Sequence, residues 1–299
     1  MDGEKMTLRH YRIFVTVCDT MNMTSAAERL FMSQSAVSQA IAELEKHYGV
    51  RLFERLSRKL YLTQAGQKLL GYARHMIRMN IEIENDMKTH QENGVIRIGA
   101  SVTVGAHVLP KHVSALKKSN PRTKIEVIED NTARIENLIL QDKIDIGLVE
   151  GETTSPDVLC RLFMDDELVL ICSSQHRFAG FPDAIAPQEL EKEDFIIREE
   201  GSGTRKTFEE KMSEHQIAWK ATWTCNNADT IKMAVAENLG ISVMSERSVK
   251  NELATGLLCQ KYVDGVLFKR SFKFIYHKNK YFTESMKNFV DKLENKSIV

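Results

Sequence analysis

The feature that most constrains this chain is a pair of short helical segments separated by only three residues. Ser25–Leu30 and Gln34–Tyr48 carry small and apolar residues at helical spacing, and Phe31-Met32-Ser33 between them is too short for anything but a turn. Thr24 can cap the first segment and Ser33 the second, because their side-chain oxygens accept from first-turn N–H groups. Gly49 suits the left-handed stop of the second. Ala26, Ala27, Ala36 and Ala40 are small where two helices must approach closely. An amphipathic helix over Thr7–Thr20, with Leu8, Tyr11, Phe14, Val15 and Cys18 on one spacing, precedes the pair. Arg51–Leu62 is basic and alternating, which predicts a two-stranded wing. Residues 1–63 are thus expected to form a winged helix-turn-helix head.

Such a head lays its second helix in the major groove of a duplex, with the exposed N-terminal residues against base edges. Those are Gln34, Ser35, Ser38 and Gln39; an amide can bond adenine bidentately and a hydroxyl can serve either edge. Thr24 and Ser25, at a helix start, are expected to offer backbone N–H groups to a phosphate, next to the cap residue Ser33. Arg55, Arg58 and Lys59 fall in the wing, within reach of a backbone or a minor groove. The whole chain is neutral, with 41 basic and 41 acidic residues, so the basic character is local. Arg29 to Arg78 holds nine Lys/Arg against Glu43, Glu45 and Glu54, and the remainder is correspondingly acidic.

Thr63 can cap a long helix spanning 64–92. Leu69, Ala73, Met76, Asn80, Ile83 and Met87 recur at alternating spacings of four and three, the pattern of a coiled-coil seam, with Asn80 as a polar register position. A helix of about 25 residues is about 38 Å long, and one of this kind leaving a small domain predicts a dimer. From Asn93-Gly94 onward the pattern alternates between strand and helix. Strands are expected at 95–99, 124–128 and 144–149, with a helix at 103–118 containing Pro110 and another at 133–140. This βαβαβ run implies a parallel sheet and an α/β fold class. Further strands are expected at 158–163, 167–173, 194–198, 220–225, 241–244 and 271–276, and helices at 204–214, 228–237, 245–252 and 281–294.

Residues 7–70 resemble the LysR-type transcriptional regulator family. The resemblance is carried by Leu8-Arg9, Phe14, Thr24-x-Ala26-Ala27-x-x-Leu30, Ser33-Gln34-x-Ala36-x-Ser38, Ile41-x-x-Leu44-Glu45, Gly49, Leu52-Phe53-x-Arg55, Arg58 and Leu62-Thr63-x-Ala65-Gly66. It implies sequence-specific DNA binding, a dimerising linker helix and assembly as dimers or tetramers. It also implies a two-lobed, periplasmic-binding-protein-like effector domain over 93–299, with lobe 1 at 93–165 and 270–299 and lobe 2 at 166–269. The family's base and phosphate positions fall on Gln34, Ser35, Ser38 and Arg58; Gln39 departs from the arginine common in relatives. Glu200-Gly201-Ser202-Gly203-Thr204-Arg205 is similar to the subgroup that regulates sulfur assimilation and sulfite response.

In a two-lobed domain the ligand lies at strand C-termini and helix N-termini. Three segments qualify: Ser101, Val102 and Thr103 after the first strand; Ser202, Gly203 and Thr204 at a second strand-to-helix turn; and Asn226, Asn227 and Thr230 at a third. Hydroxyls, amides and helix-start N–H groups suit a small anion as co-inducer. No cofactor or metal is expected: the five cysteines are scattered without a CxxC pair, and His107 and His112 are five apart. An enzyme is disfavoured because Gly201-Ser202-Gly203 is not the G-x-S-x-G elbow. A solute-binding protein is disfavoured because Met1–Lys5 is not an apolar signal segment and residues 1–90 would have no role. A cytoplasmic location is expected.

Overall fold

The computed structural model describes residues 6–56, 59–89, 95–182 and 184–294; the side chains of residues 55, 56, 82 and 85–89 lie outside that description. The chain forms two compact units, one of Met1–Asn93 with Asn279–Tyr281 and one of Gly94–Lys278 with Phe282–Val299.

The first unit opens with α1 (Leu8–Thr20), α2 (Met23–Leu30) and α3 (Gln34–Tyr48), followed by strands β1 (Phe53–Leu56) and β2 (Lys59–Leu62) and the long helix α4 (Gln64–Thr89). Apolar faces of these helices bury Ile13, Phe14, Val17, Ala26, Val37, Ile41 and Leu44 around one centre with Leu52 and Phe53. The wing is an antiparallel hairpin whose register pairs Phe53 with Leu62 and Leu56 with Lys59. Glu45 ties the wing to α3: its Oε1 accepts from the backbone N–H groups of Leu52 and Phe53 at 2.7 and 3.2 Å.

Two expectations are corrected here. The cap of α2 is Asn22, whose Oδ1 accepts from the N–H groups of Thr24 and Ser25 at 2.8 and 3.1 Å, so the helix starts at Met23 and Thr24 lies inside it. The linker seam is divided. Ala73 is fully buried and Leu69 half-buried in this unit's own core, whereas Met76 and Ile83 are exposed and Asn80 donates to Glu84 on its own helix. Met87 lies in the helix with its side chain outside the description.

The second unit alternates β3 (Val95–Ser101), α5 (Val102–His107), α6 (Leu109–Ser119), β4 (Lys124–Asp130), α7 (Thr132–Leu140) and β5 (Ile146–Glu150). β3 pairs in parallel with both β4 and β5. One helix was expected over 103–118; two form, because Pro110 has no N–H to continue the first helix's ladder and the chain breaks at Val108, leaving the proline in the first turn of α6 where no such donor is needed. The strands expected at 158–163 and 167–173 are one strand, β6 (Val158–Ser173).

Beyond β6 come β7 (Asp194–Arg198), α8 (Gly203–Glu214), β8 (Lys220–Cys225), α9 (Ala228–Ala236), β9 (Ser242–Ser245), α10 (Glu246–Ala254), β10 (Leu258–Lys261), β11 (Phe268–His277) and α11 (Glu284–Glu294). β10 was not foreseen; it is a four-residue edge strand paired with β6. β6 and β11 run antiparallel along their length and pass through two separate cores. One core gathers Ile96, Ile98, Leu148, Phe272, Phe274 and Phe289; the other gathers Leu168, Leu170, Phe178, Phe195, Phe208 and Met212. None of the described helices is long and apolar enough to cross a membrane.

Two predictions follow from this packing. Glu45→Ala removes a carboxylate from two backbone N–H groups and should lower the stability of the first unit by roughly 1.5–3 kcal/mol, read by thermal unfolding. His112 is buried between α6 and α11, and burial holds its pKa below the ordinary 6.5, against a backbone hydrogen bond near Lys292. A lowered value means the unfolded chain takes up the proton first. The stability of the neutral form is therefore complete above about pH 6.5 and lost as pH falls below it, and His112→Asn should flatten that acid limb in a Tm-versus-pH series.

Candidate functional site

The turn between α2 and α3 positions a polar surface. Ser33 adopts the extended cap conformation and its Oγ accepts from Ala36 N–H at 3.2 Å. Phe31 before it takes a left-handed φ of 53° and is 97% exposed. Gln34, Ser35 and Gln39 are exposed and Ser38 half-buried on the first two turns of α3. They are not free side chains: Gln34 Nε2 donates to Ser38 Oγ at 2.8 Å, and Gln39 Nε2 donates to Glu43 Oε1 at 2.9 Å. The Gln39 bond, then the one from His10, holds the Glu43 carboxyl below the usual range. Ser33 and Ser35 hydroxyls lie 3.0 Å apart.

The structure therefore brings Ser33, Gln34, Ser35, Ser38 and Gln39 together at one end of α3. It corrects the role expected of Thr24 and Ser25: their backbone N–H groups are taken by Asn22, leaving their exposed hydroxyls as the groups they can present. Lys59 is exposed at the start of β2; Arg55 sits in β1 with its side chain outside the description, and Arg58 lies outside the described residues.

The second unit carries a cleft of about 580 Å³ where the two cores face each other, lined by Val102, Thr103, Thr204, Asn226 and Asn227 among the expected residues. Ser202 and Gly203 line a smaller cavity of about 260 Å³ alongside, and Thr230 serves the cap of α9, its N–H lying 3.4 Å from Asn227 Oδ1. Ser101 is buried beneath the cleft, where its hydroxyl donates to Glu150. Ser202 stands at the N-cap of α8, but its hydroxyl makes no cap bond.

Sequence reading missed the charged residues. The cleft is also lined by Glu129, Asp130, Glu199 and Asp229, and by the cations Arg198 and Lys232. Both cations are already engaged: Arg198 donates to both oxygens of Glu199, and Lys232 pairs with Glu252 at 2.7 Å and Asp229 at 2.9 Å. Burial alone would lower Lys232, but these two bonds prevail and raise its pKa. Burial raises the carboxyl of Glu129 against the pull of Arg198, and burial, then Lys232, holds His107 below its ordinary value. Beneath lies Arg270, whose Nε donates to Asp166 Oδ2 at 2.7 Å and whose Nη1 donates to Thr204 Oγ1 at 2.9 Å. Only their alternation of strand end and helix start distinguished these segments in sequence; Glu150 closes β5 with no helix start directly after it and Arg270 lies inside β11, so neither gave that signal.

A winged helix-turn-helix reader on one unit and a two-lobed ligand cleft on the other define an effector-responsive DNA-binding protein. Residues 8–67 match the family described as "Bacterial regulatory helix-turn-helix protein, lysR family", and residues 89–297 match "LysR substrate binding domain". The chain is 31% identical over 286 residues to the "Uncharacterized HTH-type transcriptional regulator YeiE" of Escherichia coli, covering 96% of each. Among solved structures it is similar to full-length OxyR from Pseudomonas aeruginosa, with a TM-score of 0.72 at 20% identity over 99% of this chain and 97% of that one. It is also similar to the regulatory domain of Synechocystis CcmR in complex with 2-PG, with a TM-score of 0.63 at 25% identity over 67% of this chain and 96% of that one. The chain belongs to the LysR family: it is a DNA-binding transcriptional regulator controlled by a small effector bound in its C-terminal domain.

Proposed function

We propose that this regulator reads a dyad-symmetric promoter site as a homodimer or a larger homo-oligomer in the cytoplasm, without catalytic turnover, and that its effector is a small oxyanion-bearing molecule held in the cleft. The observation that carries the effector reading is the cleft lining. Thr204, Asn226 and Asn227 supply hydroxyl and amide groups, and Thr103 lines the opposite side. The four carboxylates around them favour an effector that also donates hydrogen bonds, such as a hydroxylated acid, over a bare anion. The CcmR regulatory domain, solved with 2-PG, is consistent with an acid of that size. Exposed Met76 and Ile83 on α4 support pairing through the linker helix. Effector binding would shift the population of lobe arrangements, and through the oligomer the spacing of paired recognition helices on bent DNA.

On the DNA side, Gln34→Ala should cost about 1–3 kcal/mol on the specific site and little on random duplex. Lys59→Ala should weaken both equally and reduce the salt slope by about 1, read by fluorescence anisotropy across a salt series. Loss of neither overturns the assignment of this face. On the effector side, calorimetry with sulfite, sulfate, 2-PG, their neutral analogues and simple amines should find heat only with oxyanions. Thr204→Val should weaken that binding about tenfold, as expected for one hydroxyl bond to a charged group. Binding confined to neutral or cationic compounds would sink the proposal.

A further inference from the structure

We propose that Glu150 is a built-in ligand of the cleft floor: its carboxylate occupies an oxyanion subsite formed by Ser101, Thr103 and Arg270, and so confines the effector to the outer cleft at Thr204, Asn226 and Asn227. This rests on the reading of the cleft as the effector site.

The donor set comes first. The Ser101 hydroxyl donates to Glu150 Oε2, the Thr103 hydroxyl reaches Oε1 at 3.4 Å, and Arg270 Nη1 stands 3.9 Å from the same oxygen. Two hydroxyls and a guanidinium converging on one point are the groups that bind a carboxylate or sulfate from solution. Here the chain supplies the anion, on a side chain 2% exposed facing an arginine 3% exposed. Ser202 Oγ and Arg270 Nη2 are further buried donors without a hydrogen-bond partner among the described residues.

The fit comes second. A Cβ on Gly203 would fall 2.2 Å from the Glu150 carbonyl oxygen and 2.6 Å from its Cγ. Glycine at the first position of α8 is what lets the second lobe close over this side chain. Glu150 is thus held by Ser101 and Thr103 of one lobe and covered by Gly203 of the other.

Arg270 is paired with Asp166 at 2.7 Å, and Asp166 in turn accepts from Ser245 and stands 3.5 Å from Arg247. Among the described residues the Glu150 carboxylate has no ionic contact shorter than its 3.9 Å approach to Arg270, so its burial carries a desolvation cost that a glutamine filling the same space would not. The hydroxyls of Ser101 and Thr103 offset it. An effector anion approaching the floor would meet this resident charge, with the Ser101 and Thr103 hydroxyls already given to it; the Thr204 hydroxyl, accepting from Arg270, still has its own proton to donate outward.

The test is chemical rescue in the full chain. Wild type, Glu150→Ala and Glu150→Gln are unfolded thermally in sodium acetate or formate, in chloride at equal ionic strength, and with acetamide as the neutral isostere. Glu150→Ala should show a saturable, acetate-specific rise in Tm of about 3–5 °C at tenfold over half-saturation. Wild type and Glu150→Gln, whose subsite is filled, should show none. If the alanine variant does not fold in chloride, recovery of folded protein on dilution into acetate but not chloride reads the same interaction. No acetate-specific gain in either readout, or an equal gain in wild type, overturns the proposal. Thr204→Val is read separately with the oxyanion panel. Failed rescue with a weakened Thr204→Val overturns the Glu150 proposal alone, whereas rescue with an unaffected Thr204→Val supports the subsite and overturns the cleft reading.

Discussion

The effector unit depends on two strands that serve two cores at once. β6 and β11 run antiparallel from the first lobe into the second, and Arg270 and Asp166 are facing partners at the crossing. Their ion pair is buried, and among the described residues removing one member would leave the other only a longer ionic contact, Arg270 with Glu150 at 3.9 Å or Asp166 with Arg247 at 3.5 Å. The pair fixes where the end of β5 meets the start of α8, and hence where Glu150, Thr204 and the cleft lining stand. β11 passes from one core to the other between Phe268 and Phe272, and its register against β6 shifts just beyond, between Phe272 and Lys273.

The DNA-reading head uses polar contacts differently. The residues proposed to read bases already have side-chain partners on α3, Gln34 with Ser38 and Gln39 with Glu43. Contact with bases must exchange these bonds rather than add to them, so each amide is worth the difference between a base edge and its present partner. That difference is sequence-dependent, which suits a reader whose affinity comes largely from backbone phosphates.

Much of this was legible in the chain because local chemistry decided it. Ser33, Gly49 and Thr63 stop or start helices through their own side chains or backbone, and each does so where spacing predicted. Thr24 was misread because Asn22, two residues earlier, is the cap and accepts from the amides of Thr24 and Ser25. β6 was read as two strands because its centre, around Asp165 and Asp166, is polar; that polarity serves the ion pair and not a turn. Of the cleft residues, Thr103, Thr204, Asn226 and Asn227 were recognisable as helix starts after strands. Glu150, Asp166 and Arg270 were not, since partners 104 and 120 positions away in sequence leave no local pattern.

The division of α4 has a mechanical meaning. Leu69 and Ala73 are part of the head's own core, while Met76 and Ile83 on the same helix face outward. The first turns of the linker are therefore not a tether but the last layer of the head. A fragment ending at the wing would leave Phe14, Leu52 and Phe53 with an open side, so the smallest autonomous reader must carry the helix past Ala73. By the same connection, any twist imposed on the outer half of the helix is delivered to the head as a rigid lever and cannot be absorbed by slack between them.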